Sequence, residues 1–270
     1  MTKYFPFLTL FIFITGVPLA GASLEEILKA SLAADQRNEE KLKNLIFHEK
    51  ILVQRLDKTG KVIKETTSNY LVITERGLSY QLAKDDHSGE QVLVTGRVFD
   101  FSPTPTSTKH VKSNPEKGAP KQVVNQPQLY SESMDMTELV ERYDLRLTGR
   151  ESVDGRMAWI LEFEPRKNIR HHSRVQKILN NMKGRLWLDQ ESHAILRCEA
   201  SLAKAISLAW PFATLRSATL SYRAQRLPSG AWVPEKLVLT TTARSFLNTT
   251  TQRQTATMYN FRKLKPAARE

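Results

Sequence analysis

Two short motifs in the chain could in principle do chemistry together. Ser201-Leu202-Ala203-Lys204 has the S-x-x-K spacing and Lys58-Thr59-Gly60 is a K-T-G triplet. Both occur in penicillin-interacting serine enzymes, where the lysine lies within reach of a nucleophilic serine. Here their order along the chain is reversed, and no S-D-N accompanies them. The serine falls in an alternating stretch rather than opening a helix, and Lys58-Thr59-Gly60 reads as a hairpin turn. Cys198, the only cysteine, lies on the apolar side of its stretch, where a small buried hydrophobe is expected rather than a nucleophile. His171 and His172 are adjacent, so their rings point apart and do not converge on one ion. Asp85-Asp86-His87 sits in a turn-like segment, where acids are common. The zincin, nucleophile-elbow, Walker and dinucleotide patterns are all missing from the sequence. The residues therefore nominate no catalytic group, no metal site and no cofactor. An exported hydrolase stays as a remote alternative.

The frame around these residues is a basic chain of 270 residues with a formal net charge of +12. A 40% hydrophobic content is enough for a folded core. A single cysteine excludes an internal disulfide framework and any cysteine-built zinc or iron–sulfur centre. Lys3, the apolar run over residues 5–14 and Ala20-Gly21-Ala22 have the order of a secretory signal, so residues 1–22 are expected to be cleaved. Export argues against nucleic acid as the anionic partner. It leaves acidic lipid, polysaccharide or protein.

Periodicity supplies the elements. Ser23-Leu24-Glu25-Glu26 is a capping box, and Leu24, Ile27, Leu28 and Leu32 follow at helical spacing, which predicts a helix from Leu24 into the early forties. Residues 46–53 and 62–74 alternate around Asp57–Gly60 and predict a long hairpin. Further strands are expected near 78–82 and 92–99. Residues 101–129 hold five of the twelve prolines and read as a Pro-rich surface insertion. A short helix over 135–140 precedes a hairpin turning at Asp154-Gly155, whose return strand carries Met157, Trp159, Leu161 and Phe163. In the strand after Asp189, alternation puts Ala194, Leu196, Cys198, Ala200 and Leu202 on one side. Strands over 218–224, 232–242 and 249–264 complete an antiparallel meander.

Residues 166–185 hold seven Lys or Arg and no acid. Val175, Ile178, Leu179 and Met182 fall at helical spacing after Ser173, so a short amphipathic helix with a basic flank is expected, ending near Gly184. It reads either as a solvated face over a packed stripe or as a lid whose positive rim meets anionic groups.

Three stretches carry a resemblance. They are Tyr143–Arg156 with Ala158-Trp159 and Phe163-Glu164-Pro165; Gly184–Asp189 with Arg197; and Pro228–Pro234. In this pattern of strand, turn, strand, helix, tryptophan-x-aspartate strand and final hairpin, the chain resembles the periplasmic lipoprotein-sorting carriers LolA and LolB and their relatives, including the lipid-sensing domain of the RseB/MucB regulators. The resemblance implies a mainly antiparallel β fold with a few short helices (α+β). This is a LolA-like unclosed β half-barrel spanning residues 23–270 as one domain, with helices over its concave face. It implies a non-enzymatic protein of the Gram-negative periplasm that binds an acylated lipid or lipoprotein, in sorting or sensing. The alternative on the same fold is a regulatory or assembly protein that holds an acidic envelope partner. Peripheral contact with an anionic membrane is compatible with both. Alternation nominates Trp159, Leu161, Phe163, Trp187, Leu196, Leu220 and Tyr222 to line the cavity. Val175, Ile178, Leu179 and Met182 would form the lid, and Arg170, Arg174 and Lys177 the basic rim. Alternation groups residues by face without telling which face is hollow.

Overall fold

The capping box forms as expected. Ser23 Oγ accepts from the Glu26 amide, Glu26 returns a bond to the Ser23 amide, and helix α1 runs over Leu24–Leu42. The computed structural model describes residues 22–75, 78–84, 91–95, 136–171, 174–209, 213–246 and 248–263. The expected signal segment, the 101–129 insertion and Asp85-Asp86-His87 lie outside these. No helix among the described residues is long and apolar enough to cross a membrane.

After α1 come β1 (Leu45–Leu56), β2 (Val62–Glu75), β3 (Leu78–Lys84) and β4 (Gln91–Thr95). Then follow α2 (Met136–Arg142), β5 (Tyr143–Val153), β6 (Arg156–Pro165), α3 (Arg174–Leu179), β7 (Met182–Asp189) and β8 (Ile195–Leu202). The chain ends with β9 (Ile206–Ala209), β10 (Ala213–Arg226), β11 (Trp232–Ser245) and β12 (Asn248–Lys263). All twelve strands join one antiparallel sheet, in the order β4-β3-β2-β1-β12-β11-β10-β8-β7-β6-β5, with the short β9 on β10. The sheet is unclosed, and among the described residues three helices accompany it. The expected α+β fold with an open antiparallel sheet is therefore the one observed.

The order is not the simple meander that the sequence suggests. The chain starts in the middle of the sheet at β1 and zigzags to the β4 edge. It resumes at the opposite edge with β5 and returns to the middle, where β12 pairs β1 from Leu45↔Lys263 to Leu56↔Thr251. The β5–β6 turn is set by Asp154 and Gly155, both at positive φ (52° and 78°), which suits a two-residue hairpin turn.

Two local expectations are corrected. The expected α3 does not reach Gly184: it stops at Leu179, and Met182 opens β7. Asn180 and Asn181 turn their side-chain amides onto the backbone carbonyls of Ile169 and Lys177, an alternative that competes with further helix. The second correction concerns β8. Its register against β7 shifts between Trp187↔Arg197 and Leu188↔Ile195, so Leu196 is the extra residue of a β-bulge and its side chain leaves the Cys198 side.

Candidate functional site: the helix-covered face of the sheet

Following the register across the sheet puts one lateral row on a single face: Leu147, Leu161, Leu186, Cys198, Tyr222, Leu237, Ala256 and Ile51. The next row holds Leu145, Phe163, Gly184, Ala200, Leu220, Leu239, Gln254 and Val53. The apolar stripe thus continues over both halves of the sheet, which is what one buried face of an antiparallel sheet requires.

The two halves differ in how they are closed. Over β5–β8 and β10, Ile27 of α1, Met136 and Leu139 of α2 and Ile178 of α3 join Leu161, Phe163, Leu186 and Leu188 in the main buried cluster. Leu220 and Tyr222 pack against this cluster while half-buried, and Leu237, Ile51 and Val53 beyond them are also half-buried.

Helix α3 is tied to its neighbours by hydrogen bonds. The Tyr143 hydroxyl donates to the Leu179 carbonyl at 2.6 Å, and Lys177 Nζ donates to the Ser207 carbonyl at 2.6 Å. Burial pushes the Tyr143 phenol well above its ordinary pKa, so it stays a neutral donor. The Arg142 guanidinium donates to Asn180 Oδ1 at 3.0 Å just beyond the helix.

Helix α1 is held asymmetrically. Near its C-terminal end, the Asn38 amide donates to the Trp232 carbonyl and accepts from the Trp232 amide, both at 2.8 Å, as a strand neighbour would. Lys263 Nζ donates to the carbonyls of Lys41 and Lys43, and Thr74 Oγ1 to that of Leu42. Midway, Asp35 Oδ2 accepts the Met136 amide of α2. The N-terminal half meets the sheet through apolar side chains: Leu24, Ile27, Leu28 and Leu32. Two polar atoms buried in this layer, Ser31 Oγ and Trp159 Nε1, have no hydrogen-bond partner among the described residues. Such an interface is weaker than a fully satisfied one.

The residues nominated from alternation divide between the two faces. Trp159, Leu161 and Phe163 are buried in the main cluster at 7%, 0% and 1% exposure, with Leu220 and Tyr222 beside them. They form packed core and floor rather than the wall of an empty hollow. Trp187 and Leu196 lie on the opposite face, in a smaller cluster with Val153 and Ala158, flanked by Ile160 and Trp232. Trp187 is one residue out of phase with Leu186 and Leu188, and the bulge carries Leu196 over.

Of the lid residues, Ile178 is buried, Leu179 half-buried, and Met182 a buried strand residue. The side chains of Val175 and Arg174 lie outside the described set. Of the rim charges, Arg170 is exposed, whereas Lys177 is engaged with β9.

What the sequence reading missed is that α1, rather than α3, is the long cover. Its stripe was visible, but nothing local said which surface it meets.

The opposite face carries a polar cleft of about 480 Å³, lined among others by Asp154, Arg197, Glu199, Arg223 and Lys236. The Arg197 guanidinium lies 4.6 Å from the centre of the Trp187 ring and pairs with Glu199, while Arg223 bridges Asp154 and Glu235.

Nothing in this arrangement assembles a nucleophile. Burial, with Glu199 adding to it, pushes the Cys198 thiol up to about 12, so it stays protonated. Ser201 is on β8, whereas Lys58-Thr59-Gly60 is the β1–β2 turn. Three strands intervene, a separation of about 19 Å at ~4.8 Å per strand. Among the described residues, no group of three His, Cys, Asp or Glu could hold a metal ion.

No family model and no curated protein matches the sequence. Solved structures do. A LolA-superfamily protein of Nitrosomonas europaea is 14% identical over 92% of this chain and 96% of that one, with a TM-score of 0.38. A putative outer membrane lipoprotein-sorting protein domain of Vibrio parahaemolyticus is 14% identical over 89% and 94%, with a TM-score of 0.33. The MucA/MucB complex of Pseudomonas aeruginosa gives 14% identity over 86% and 98%, with a TM-score of 0.24. These are likenesses of outline, and no ligand or residue role is taken from them. The chain is similar to LolA-like structures over most of its length, in keeping with the resemblance read from its sequence.

Proposed function

We propose that the chain is an exported, non-catalytic envelope protein that binds an acyl chain of a lipid or lipoprotein between α1 and the sheet. In this reading residues 1–22 are removed, the remainder is a single domain, and the site lies in a bacterial periplasm. The observation that carries it is the apolar stripe that runs from the closed β5–β8 half to the half-buried residues Tyr222, Leu237 and Ile51. Lifting the apolar N-terminal half of α1, while its other end stays hydrogen-bonded, would extend that floor into a groove. Each methylene buried there contributes about 0.8 kcal/mol, so a long chain binds without any catalytic group. Sorting or sensing then depends on what the protein meets next.

The test is native mass spectrometry of the protein purified from its envelope, with solvent extraction of bound material. We expect a co-purifying acylated molecule that is lost on Tyr222→Glu or Leu237→Glu, with the unfolding transition unchanged. Leu161 and Phe163 are too deeply buried to serve as probes. A protein that arrives empty and ignores added fatty acid would sink the proposal. A second reading is that the cleft of the opposite face holds an acidic segment of an envelope partner, which would compete with Glu199, Asp154 and Glu235 for Arg197 and Arg223. Salt-sensitive capture of such a protein by lipid-free material would select it.

A further inference from the structure

The two unmet polar atoms under α1 come from opposite walls of the same layer. Ser31 is 0% exposed and lies on the buried stripe that α1 forms with Ile27 and Ala34. Trp159, on β6, is 7% exposed and joins Ile27 in the main buried cluster. Neither Ser31 Oγ nor Trp159 Nε1 has a hydrogen-bond partner among the described residues. The Trp159 ring does have a neighbour, since the His193 ring centre is 5.2 Å away. That contact is between rings and leaves the indole N–H unmet.

Comparable donors around them are satisfied. Trp187 Nε1 donates to Glu151 Oε2 at 2.9 Å, and the Tyr143 hydroxyl to the Leu179 carbonyl at 2.6 Å. One turn on from Ser31, Asp35 accepts the Met136 amide. A buried donor without an acceptor costs stability, so native folds rarely keep one. Ser31 brings no compensation through helix propensity either. Alanine, the better helix former, stands at positions 30, 33 and 34 of the same helix.

An indole N–H only donates, and a serine hydroxyl has a proton to donate. The complementary group is an oxygen acceptor. In an apolar layer it must also be uncharged, because an unpaired ion is far more costly to bury. An acylated molecule carries such a group at the head of its chain, the ester carbonyl.

We propose that Ser31 and Trp159 are the polar contacts of the acyl site, donating from the helix and from the sheet to ester carbonyl oxygen of the bound lipid. This inference rests on the acyl-binding reading and adds which part of the ligand is recognised. The hydrocarbon supplies affinity, and the carbonyl supplies selectivity. Its engagement also holds the lifted helix over the ligand.

The test is equilibrium dialysis of the mature chain with palmitoyl lysophosphatidylglycerol and with its hexadecyl-ether counterpart, both below micelle-forming concentrations. The two share headgroup and tail length, and only the first has a carbonyl. We expect the parent to prefer the ester roughly tenfold, as two hydrogen bonds of ordinary net strength imply. Ser31→Ala and Trp159→Phe should each lower that preference roughly threefold and together remove it. Lost packing at residue 159 weakens both lipids alike, so the ratio isolates the hydrogen bond. Without ligand, Ser31→Ala should melt no lower than the parent, since it removes an unmet donor and installs the best helix former. Equal affinity of the parent for the two lipids, or a preference that survives both substitutions, overturns this inference and leaves the acyl groove standing. A Ser31→Ala protein that melts lower without ligand also overturns it, because the hydroxyl would then be bonded within the fold. A parent that binds neither lipid removes both this inference and the acyl-binding reading beneath it.

Discussion

Replacing Arg156 by Met should destabilise the protein in a way that depends on pH. The Asp189 side chain is 2% exposed and sits beneath Arg156, which donates Nε to Oδ1 at 2.9 Å and Nη2 to Oδ2 at 2.7 Å. The Ser192 amide and hydroxyl supply two further bonds to Oδ2. Burial pushes the Asp189 pKa up, but the bonds from Arg156 and Ser192 outweigh it and hold the carboxyl below its usual range. Ionised Asp189 thus stabilises the fold above about pH 4, and that stability fades as pH falls through the lowered folded value. Methionine keeps the bulk over the Trp232 ring, 5.6 Å from the guanidinium, while removing the charge. Stripping a partner from a buried ion pair costs about 3–5 kcal/mol. Arg156 is 28% exposed and Ser192 remains, so we expect a loss of about 2 kcal/mol at pH 7. In the variant, burial is opposed only by Ser192, so the Asp189 pKa rises and protonation relieves the strain. The two urea-unfolding curves should therefore converge as pH falls from about 5 through the lowered folded value of Asp189 in the parent. A difference that stays constant with pH, or is below about 0.5 kcal/mol at pH 7, would refute the argument.

Three other outcomes are expected. A Cβ on Gly184 would fall 1.9 Å from the Glu199 carbonyl oxygen and 2.7 Å from the Ala200 Cα, so Gly184→Ala must displace β8 backbone. It should cost at least about 2 kcal/mol in urea melts, at the upper side of overpacking penalties. Asn38→Ala strips two hydrogen bonds from Trp232 and should speed amide exchange at the α1 C-terminal end more than in the sheet. Cys198 should resist iodoacetamide in the folded protein at pH 8 and react on unfolding, as its burial and raised pKa require.

Where a signal was local, the sequence displayed the fold. Ser23 and Glu26 mark the start of α1, and Asp154-Gly155 marks a hairpin whose strands pair as alternation implies. Where one residue changes phase, alternation misleads. It put Leu196 with Cys198, and only the pairing with β7 reveals the bulge that parts them. Helical spacing likewise ran on to Met182, because the asparagines that end α3 act through bonds to backbone carbonyls, Asn180 to Ile169 and Asn181 to Lys177, which the spacing of apolar residues does not register. The grouping of Trp159, Leu161 and Phe163 was legible, but Trp187 was assigned to their face without a register to test it. That α1 covers the stripe is a tertiary fact, and Ile27 carries no mark of the surface it meets.

The pairing of β1 with β12 has a consequence for the order of assembly. These strands are hydrogen-bonded neighbours in the middle of the sheet, yet residues 57–247 lie between them in the chain. The hairpins toward either edge need only local contacts, whereas the seam closes a loop of about two hundred residues and is slow on entropic grounds. Until residues 248–263 are available, β1 shows a twelve-residue unpaired margin, and it can pair with another chain as readily as with its own. The sheet is thus completed from its margins inward. Exchange of β12 between two copies is the misassembly to which this architecture is most exposed.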